Sequence, residues 1–260
     1  MTRRAERDVP LIPGAEPFTA DGDRLGILVL HGFTGSPVSV KPWAEHLAAA
    51  GHTVAAPRLP GHGTRWQDLN AVTWEDWFDE AQRNLAWLRE RTDQVVAMGL
   101  SMGATLSLRL AEVDPGSLAG LVLVNPLIHT ERPDRHLLPY IYRVVPAFPG
   151  ISNDIKKPGV DEGGYNRLPL RAAYSMTRLW ATVKSEIHKV TQPLLVLRSA
   201  DDHVVEPSNS AWILANVGST QTEEIVLHDS YHVATLDNDA EMIFDVSLDF
   251  ARSVTDHADD

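Results

Sequence analysis

The chain has 260 residues, 43% of them hydrophobic and 22% charged, a balance that supplies a sizeable core and excludes a globally disordered chain. A formal net charge of −12 works against a nucleic-acid partner or an anionic membrane surface, because phosphate neutralisation needs clustered lysine and arginine. There is no cysteine, which excludes disulfides, thiolate nucleophiles and thiolate metal sites in this chain.

Met1–Pro10 is mostly charged and polar with no apolar run behind it, so neither a secretory signal nor a transmembrane segment is expected, and a cytoplasmic location is. Leu25–Leu30 is a short apolar run that reads as a buried strand closing on the tight loop His31-Gly32. Val40–Ala50 has a helical pattern, with Gly51 where a C-cap glycine belongs, and Thr53–Ala56 is a second predicted strand. The stretch from Pro57 to Asn70 holds Pro57, Pro60, Gly61 and Gly63 and is too rich in breakers to be regular. An amphipathic pattern predicts a helix over Trp74–Arg89, followed by a strand at Gln94–Met98, a helix at Met102–Val113 and a strand at Gly120–Val124. Such alternation predicts a doubly wound α/β protein with a mostly parallel sheet flanked by helices.

Between about Leu127 and Val190 the alternation stops and prolines recur, at Pro133, Pro139, Pro146, Pro149, Pro158 and Pro169. A single domain with an embedded cap is the expectation, with residues 1–126 and 191–260 forming the core and 127–190 the insertion. Leu137–Ile151 is apolar and aromatic, yet it is broken by Arg143 and prolines and is too short to span a bilayer, so it reads as a wall over a pocket. The alternation resumes with a strand at Leu194–Leu197, a helix at Ser208–Val217, a strand at Glu223–Leu227 and a helix near Ala240–Ser253.

Gly99-Leu100-Ser101-Met102-Gly103 is a G-x-S-x-G sequence between a predicted strand and a predicted helix. A nucleophile elbow belongs there, because the serine needs a sharp turn and the flanking glycines let strand and helix approach closely. The bare pattern arises by chance in about one chain in ten of this length at average residue frequencies, and the flanking elements make chance several-fold rarer. The competing reading is a glycine-flanked serine that only caps a helix. A serine hydroxyl needs a base to take its proton and an acid to orient that base, and in this fold the chain order is Ser, Asp or Glu, His. Asp201 and Asp202 both lie in the loop after Leu194–Leu197, and spacing does not separate them. His228 and His232 both follow the last predicted strand and are likewise not separated by pattern. For the oxyanion, the N–H of Met102 and that of Phe33, in the loop His31-Gly32-Phe33-Thr34-Gly35, are the expected donors. Neither G-x-G-x-x-G, a Walker pattern nor H-E-x-x-H is present, so no phosphate loop or zinc site is expected, and His62 reads as a turn residue.

These motifs, with Pro57-Arg58-Leu59-Pro60-Gly61-His62-Gly63-Thr64, Asp202-His203-Val204-Val205 and Ser230-Tyr231-His232-Val233-Ala234-Thr235-Leu236-Asp237, resemble the bacterial monoacylglycerol lipases and small bacterial carboxylesterases of the α/β-hydrolase fold. The resemblance runs from about Gly14 to Phe250. It implies a triad of Ser101, Asp202 and His232 with Phe33 and Met102 as oxyanion donors, and it favours Asp202 over Asp201 and His232 over His228. The cap stretches from Gly150 to Pro158 and from Val160 to Tyr165 resemble the family's short cap more loosely, while Glu131–Pro149 departs from it. By the same resemblance Ile151 lines the acyl tunnel, Glu162 meets the glycerol head group, no cofactor or metal is required, and the partner is a small ester or monoacylglycerol. The alternatives are a generalist carboxylesterase of short and medium acyl chains and, from another class, a ligand-binding receptor on a hydrolase scaffold, against which the complete set of triad residues argues.

Overall fold

The computed structural model describes residues 9–255. Its strands are β1 (Phe18–Ala20), β2 (Leu25–Leu30), β3 (Thr53–Ala56), β4 (Gln94–Leu100), β5 (Gly120–Val124), β6 (Ala147–Pro149), β7 (Arg167–Pro169), β8 (Leu194–Ser199) and β9 (Thr222–Leu227). The helices are α1 (Lys41–Ala49), α2 (Trp66–Leu69), α3 (Trp74–Arg89), α4 (Met102–Val113), α5 (Leu138–Ile141), α6 (Leu170–Glu186), α7 (Ser208–Asn216) and α8 (Ala240–Thr255). Seven strands form one sheet in the order β1-β3-β2-β4-β5-β8-β9, parallel throughout except for β1.

The central strands β2, β4 and β5 are continuous apolar runs because both faces of the sheet are covered. Their side chains alternate between two cores. Leu28, Leu30, Ala97, Leu121 and Leu123 pack with α3, α4 and α6, whereas Ile27, Val29, Val96, Met98 and Val122 pack with α1 and α8. From β2 the chain turns outward to β3, then returns across β2 to β4 and continues the other way to β5. The carboxyl ends of β2 and β4 therefore flank a topological switch point, where open α/β sheets present their clefts. Leu30 pairs with Gly99 there, which sets the loops at His31 and Ser101 side by side.

Within residues 127–190, β6 and β7 form a small antiparallel hairpin, and α5 precedes it. Neither this hairpin nor β1 was expected from the sequence, because three-residue strands carry too little periodicity to register. The long helix α6 is also unexpected. It buries Leu179 and Val183 in the same core as α3 and α4, so this part of the insertion is continuous with the layer on that face of the sheet. Among the described residues no helix is long and apolar enough to cross a membrane.

Candidate active site

Ser101 follows β4 directly and is the N-cap of α4, with φ 56° and ψ −114°. That backbone is outside the regions a serine ordinarily occupies and costs on the order of 1–3 kcal/mol, which the surrounding packing must hold in place. The two flanking glycines explain how. A Cβ on Gly99 would lie 2.3 Å from the carbonyl carbon of Gly103, and one on Gly103 would lie 2.1 Å from the carbonyl oxygen of Leu30. Strand, turn and helix are thus packed backbone on backbone, and Ser101 is left projecting at the carboxyl edge of the sheet. A Cβ on Gly32 would come within 3.3 Å of the Ser101 Cβ, so the loop after β2 closes directly on the serine.

Asp202 and His232 meet in a 2.8 Å hydrogen bond between Oδ2 and the ring Nδ1. The other Asp202 oxygen, Oδ1, accepts the backbone N–H groups of Val204 and Val205, each at 2.8 Å. Burial opposes the charged carboxylate, but the positive character of His232 and these hydrogen bonds outweigh it and hold Asp202 below its ordinary range. Burial likewise opposes a charged His232 ring, and the charge and hydrogen bond of Asp202 reverse the balance and raise it. Asp201 has an exposed side chain that approaches the exposed His203 at 3.6 Å, and His228 is exposed as well. The fold therefore separates the two pairs of candidates that spacing leaves open.

In the loop after β2, His31 is fully buried. Its Nε2 accepts the Leu59 N–H at 3.1 Å, so the proton is on Nδ1, which donates to the Gly32 carbonyl at 3.0 Å. Phe33 packs edge-on against His62 and Trp77, and the next residue, Thr34, has φ 63°. Met102 is the first residue of α4, where the N–H has no intrahelical acceptor. Asn125, at φ 44°, is a residue the sequence reading missed. It joins the ends of β5 and β8 to the histidine loop, donating to the Ser199 hydroxyl at 3.0 Å and the His232 carbonyl at 2.8 Å and accepting the Ser199 N–H at 2.7 Å.

Gly32, Phe33, Ser101 and His232 line one side of a cavity of about 710 Å³, within the range that holds a small organic ligand. Leu170, Met176 and Trp180 of α6 line it too, as do Ile151 and Glu162. Ile151 is 50% exposed, which sets it at the mouth of the cavity. Glu162 is buried, its Oε1 accepting the Asn153 N–H at 2.9 Å while its own N–H donates to the Asn153 side-chain oxygen at 2.9 Å. Burial raises the Glu162 carboxyl above its usual range, against the opposing effects of the Asn153 N–H and of His232.

A family model described as serine aminopeptidase, S33, matches residues 23–239. The chain is 39% identical over 246 residues to a thermostable monoacylglycerol lipase of Bacillus sp. (strain H-257), covering 93% of this chain and 96% of that one. It is 27% identical over 244 residues to a carboxylesterase of Bacillus subtilis (strain 168), covering 92% and 97%. A solved structure from work on two metagenome-derived lipolytic enzymes, LipS and LipT, superposes with a TM-score of 0.91 at 42% identity, covering 94% of this chain and all of that one. The monoacylglycerol lipase of Paleococcus ferrophilus, 16% identical with a TM-score of 0.77 over 92% of this chain and 98% of that one, shares the fold. With a strained serine at the turn between β4 and α4, an aspartate–histidine pair on the loops after β8 and β9, and a family match spanning all three, the chain belongs to the serine aminopeptidase S33 family of α/β-hydrolases.

Proposed function

We propose that this chain is a serine ester hydrolase that cleaves monoacylglycerols to a fatty acid and glycerol through an acyl-enzyme. The observation that carries the reading is a cavity of predominantly apolar walls onto which both the strained Ser101 and the Asp202-bound His232 open. Similarity over nearly the full length to a monoacylglycerol lipase supports the choice of substrate. A cytoplasmic setting fits the cysteine-free composition.

In this mechanism His232 Nε2 takes the Ser101 hydroxyl proton as Oγ attacks the ester carbonyl. The Asp202 carboxylate holds the ring in the tautomer with its proton on Nδ1 and stabilises the imidazolium as it forms. The developing oxyanion is received by the Phe33 and Met102 N–H groups, and the carbon–oxygen bond to glycerol breaks as His232 returns the proton to the departing alkoxide. Water, deprotonated by His232, then attacks the acyl-enzyme, and collapse of the second tetrahedral intermediate releases the acid and restores Ser101. A raised His232 shifts the acidic limb of kcat/KM above the ordinary imidazole value, since the ring must be neutral to act as base.

The test is a hydrolysis panel of monoacylglycerols, diacylglycerols and simple esters of graded acyl length, run on the parent and on Ser101→Ala. Turnover of monoacylglycerols that falls to a small residue in a folded Ser101→Ala protein, with a serine-directed phosphonate labelling only the parent, is the expected result. Preference for short simple esters over every monoacylglycerol would replace the lipase reading with that of a generalist carboxylesterase, and substantial turnover by Ser101→Ala would remove the nucleophile.

A further inference from the structure

Two carboxylates outside the triad, the half-buried Asp154 and the buried Asp237, fasten residues 153–157 of the insertion to the loop that carries His232. Asp154 Oδ2 accepts the backbone N–H of His232 at 3.2 Å and that of His203 at 3.3 Å, while its Oδ1 faces the His203 ring Nδ1 at 2.8 Å. The Asp154 carbonyl also accepts the Val233 N–H at 3.0 Å. One residue thereby bridges the segment that follows Asp202 and the segment that contains His232. Asp237, 1% exposed, closes the other side. Its Oδ2 accepts the N–H groups of Lys156 at 2.7 Å and Tyr231 at 2.9 Å, and its Oδ1 those of Lys157 and Asn238, each at 2.8 Å. Six backbone N–H groups from three stretches of chain thus converge on two side chains, with bonds to charged acceptors that are stronger than neutral ones.

We propose that Asp154 and Asp237 are positioning residues that clamp the insertion to the histidine loop and so fix where the His232 ring stands relative to Ser101. The proposal rests on the reading of Ser101, Asp202 and His232 as a triad. The Asp202–Nδ1 bond fixes one point of the imidazole, but the backbone from which the ring hangs must also be held, and at His232 its N–H goes to Asp154 while its carbonyl goes to Asn125. Asp154 also lines the cavity, but neither carboxylate takes part in the proton transfers proposed for Ser101, Asp202 and His232, so each acts through His232. Neighbouring Asn153 is tied in turn to Glu162, which keeps the clamped segment in register with the cavity wall.

The two positions respond differently to the isosteric amide. At 154 an asparagine keeps both backbone bonds through an oxygen placed as Oδ2, and its NH₂ donates to the His203 ring in the other tautomer. At 237 both oxygens accept two backbone N–H groups each, so an asparagine must turn its NH₂ against two donors. The experiment measures kcat and KM on a short nitrophenyl ester per phosphonate-titrated site, which removes misfolded molecules from the count, together with the melting temperature. Expected are a ten- to hundredfold fall in kcat for Asp154→Ala and Asp237→Asn with KM changed less than threefold, since displacement of a catalytic group by about 1 Å is felt at that scale. Asp154→Asn recovers most of the loss. Lys156→Ala, which removes a side chain paired with Asp229 and set over the Tyr231 ring but keeps the backbone N–H that Asp237 holds, leaves kcat as in the parent. A kcat per titrated site within threefold of the parent in both Asp154→Ala and Asp237→Asn overturns the clamp, as does an Asp154→Asn protein as impaired as Asp154→Ala. Loss of phosphonate labelling in the parent, or retained activity in Ser101→Ala, fails the triad reading instead and is seen independently of these variants.

Discussion

Glu162 both lines the cavity and accepts the Asn153 N–H. Transfer of a monoacylglycerol head group into a closed cavity strips water from two hydroxyls, and a polar wall group must replace those bonds. Glu162 is a buried carboxyl on that wall, with Oε1 engaged by the Asn153 N–H. Hydrogen bonds to a charged acceptor are worth about 1.5–3 kcal/mol, and a decade of rate corresponds to about 1.4 kcal/mol. Glu162→Gln keeps an oxygen for Asn153 while giving up the charge, so kcat/KM for monoacylglycerols should fall about tenfold, with ethyl and nitrophenyl esters changed less than twofold. Glu162→Leu should harm both substrate classes, because it also orphans the Asn153 N–H next to Asp154. Equal losses on both classes in the glutamine variant would show that Glu162 only supports the insertion. At this scale the turn serine between β4 and α4 was legible from its flanking glycines, whereas the contacts of Asn125, Asp154 and Asp237 were not. Their partners are backbone groups of distant segments, and no residue-type pattern records such partners.

The elbow is an element-scale device, since it depends on β4, its turn and α4 approaching one another through glycine. The atom a Gly103 side chain would meet, the Leu30 carbonyl oxygen at 2.1 Å, belongs to the backbone of the neighbouring strand β2 and has no rotamer with which to give way. Gly103→Ala should therefore cost at least the upper end of the usual overpacking range, about 3 kcal/mol, and abolish turnover through displacement of Ser101. Urea unfolding checks the first statement and phosphonate labelling the second; a folded, fully labelled alanine variant would mean that strand and helix separate more easily than this packing allows. Elements with an amphipathic period or a short apolar run bounded by turn residues were readable in advance, so that β2, β3, α3, α4 and β5 have the expected bounds. The helix α6 was not recognised although Leu170, Ala173, Met176, Trp180 and Val183 recur at helical spacing after Pro169. The prolines that recur before it mask its period, because they break every helical pattern up to Pro169.

Across the molecule, the switch-point cleft brings the loop after β2 against the Pro57–Thr64 turn and α3, and this junction is closed by two buried histidines whose rings stand 4.9 Å apart. His31 is lowered to about 4, chiefly by burial, with Arg58 adding to the effect and the Gly32 carbonyl opposing it. His62 is lowered well below its usual value by burial first and then by its nearness to His31, against its bond to the Pro60 carbonyl. Both are neutral in the folded protein and protonate near 6.5 when unfolded. Unfolding therefore takes up protons below that value, so their contribution to stability is complete above it and is lost as pH falls. For His31 the window runs from about 6.5 down to about 4, and the loss amounts to roughly 3 kcal/mol. Glu112 works in the opposite direction, because burial raises it to about 8 despite the hydrogen bond and charge of Arg109, and a carboxyl protonated only when folded gains stability as pH falls from there. The net curve mixes the two, so the histidine contribution is best isolated by difference. Replacement of His62 by phenylalanine keeps an aromatic ring beside Phe33 and Trp77 but removes the titrating group and the Pro60 bond. The stability advantage of the parent over His62→Phe, measured by urea unfolding, should be constant above pH 7 and should shrink by about 1.4 kcal/mol per pH unit below 6.5. A difference that does not change between pH 7 and pH 5 would mean that His62 binds its proton equally well folded and unfolded, and that the junction beneath the loop after β2 admits charge.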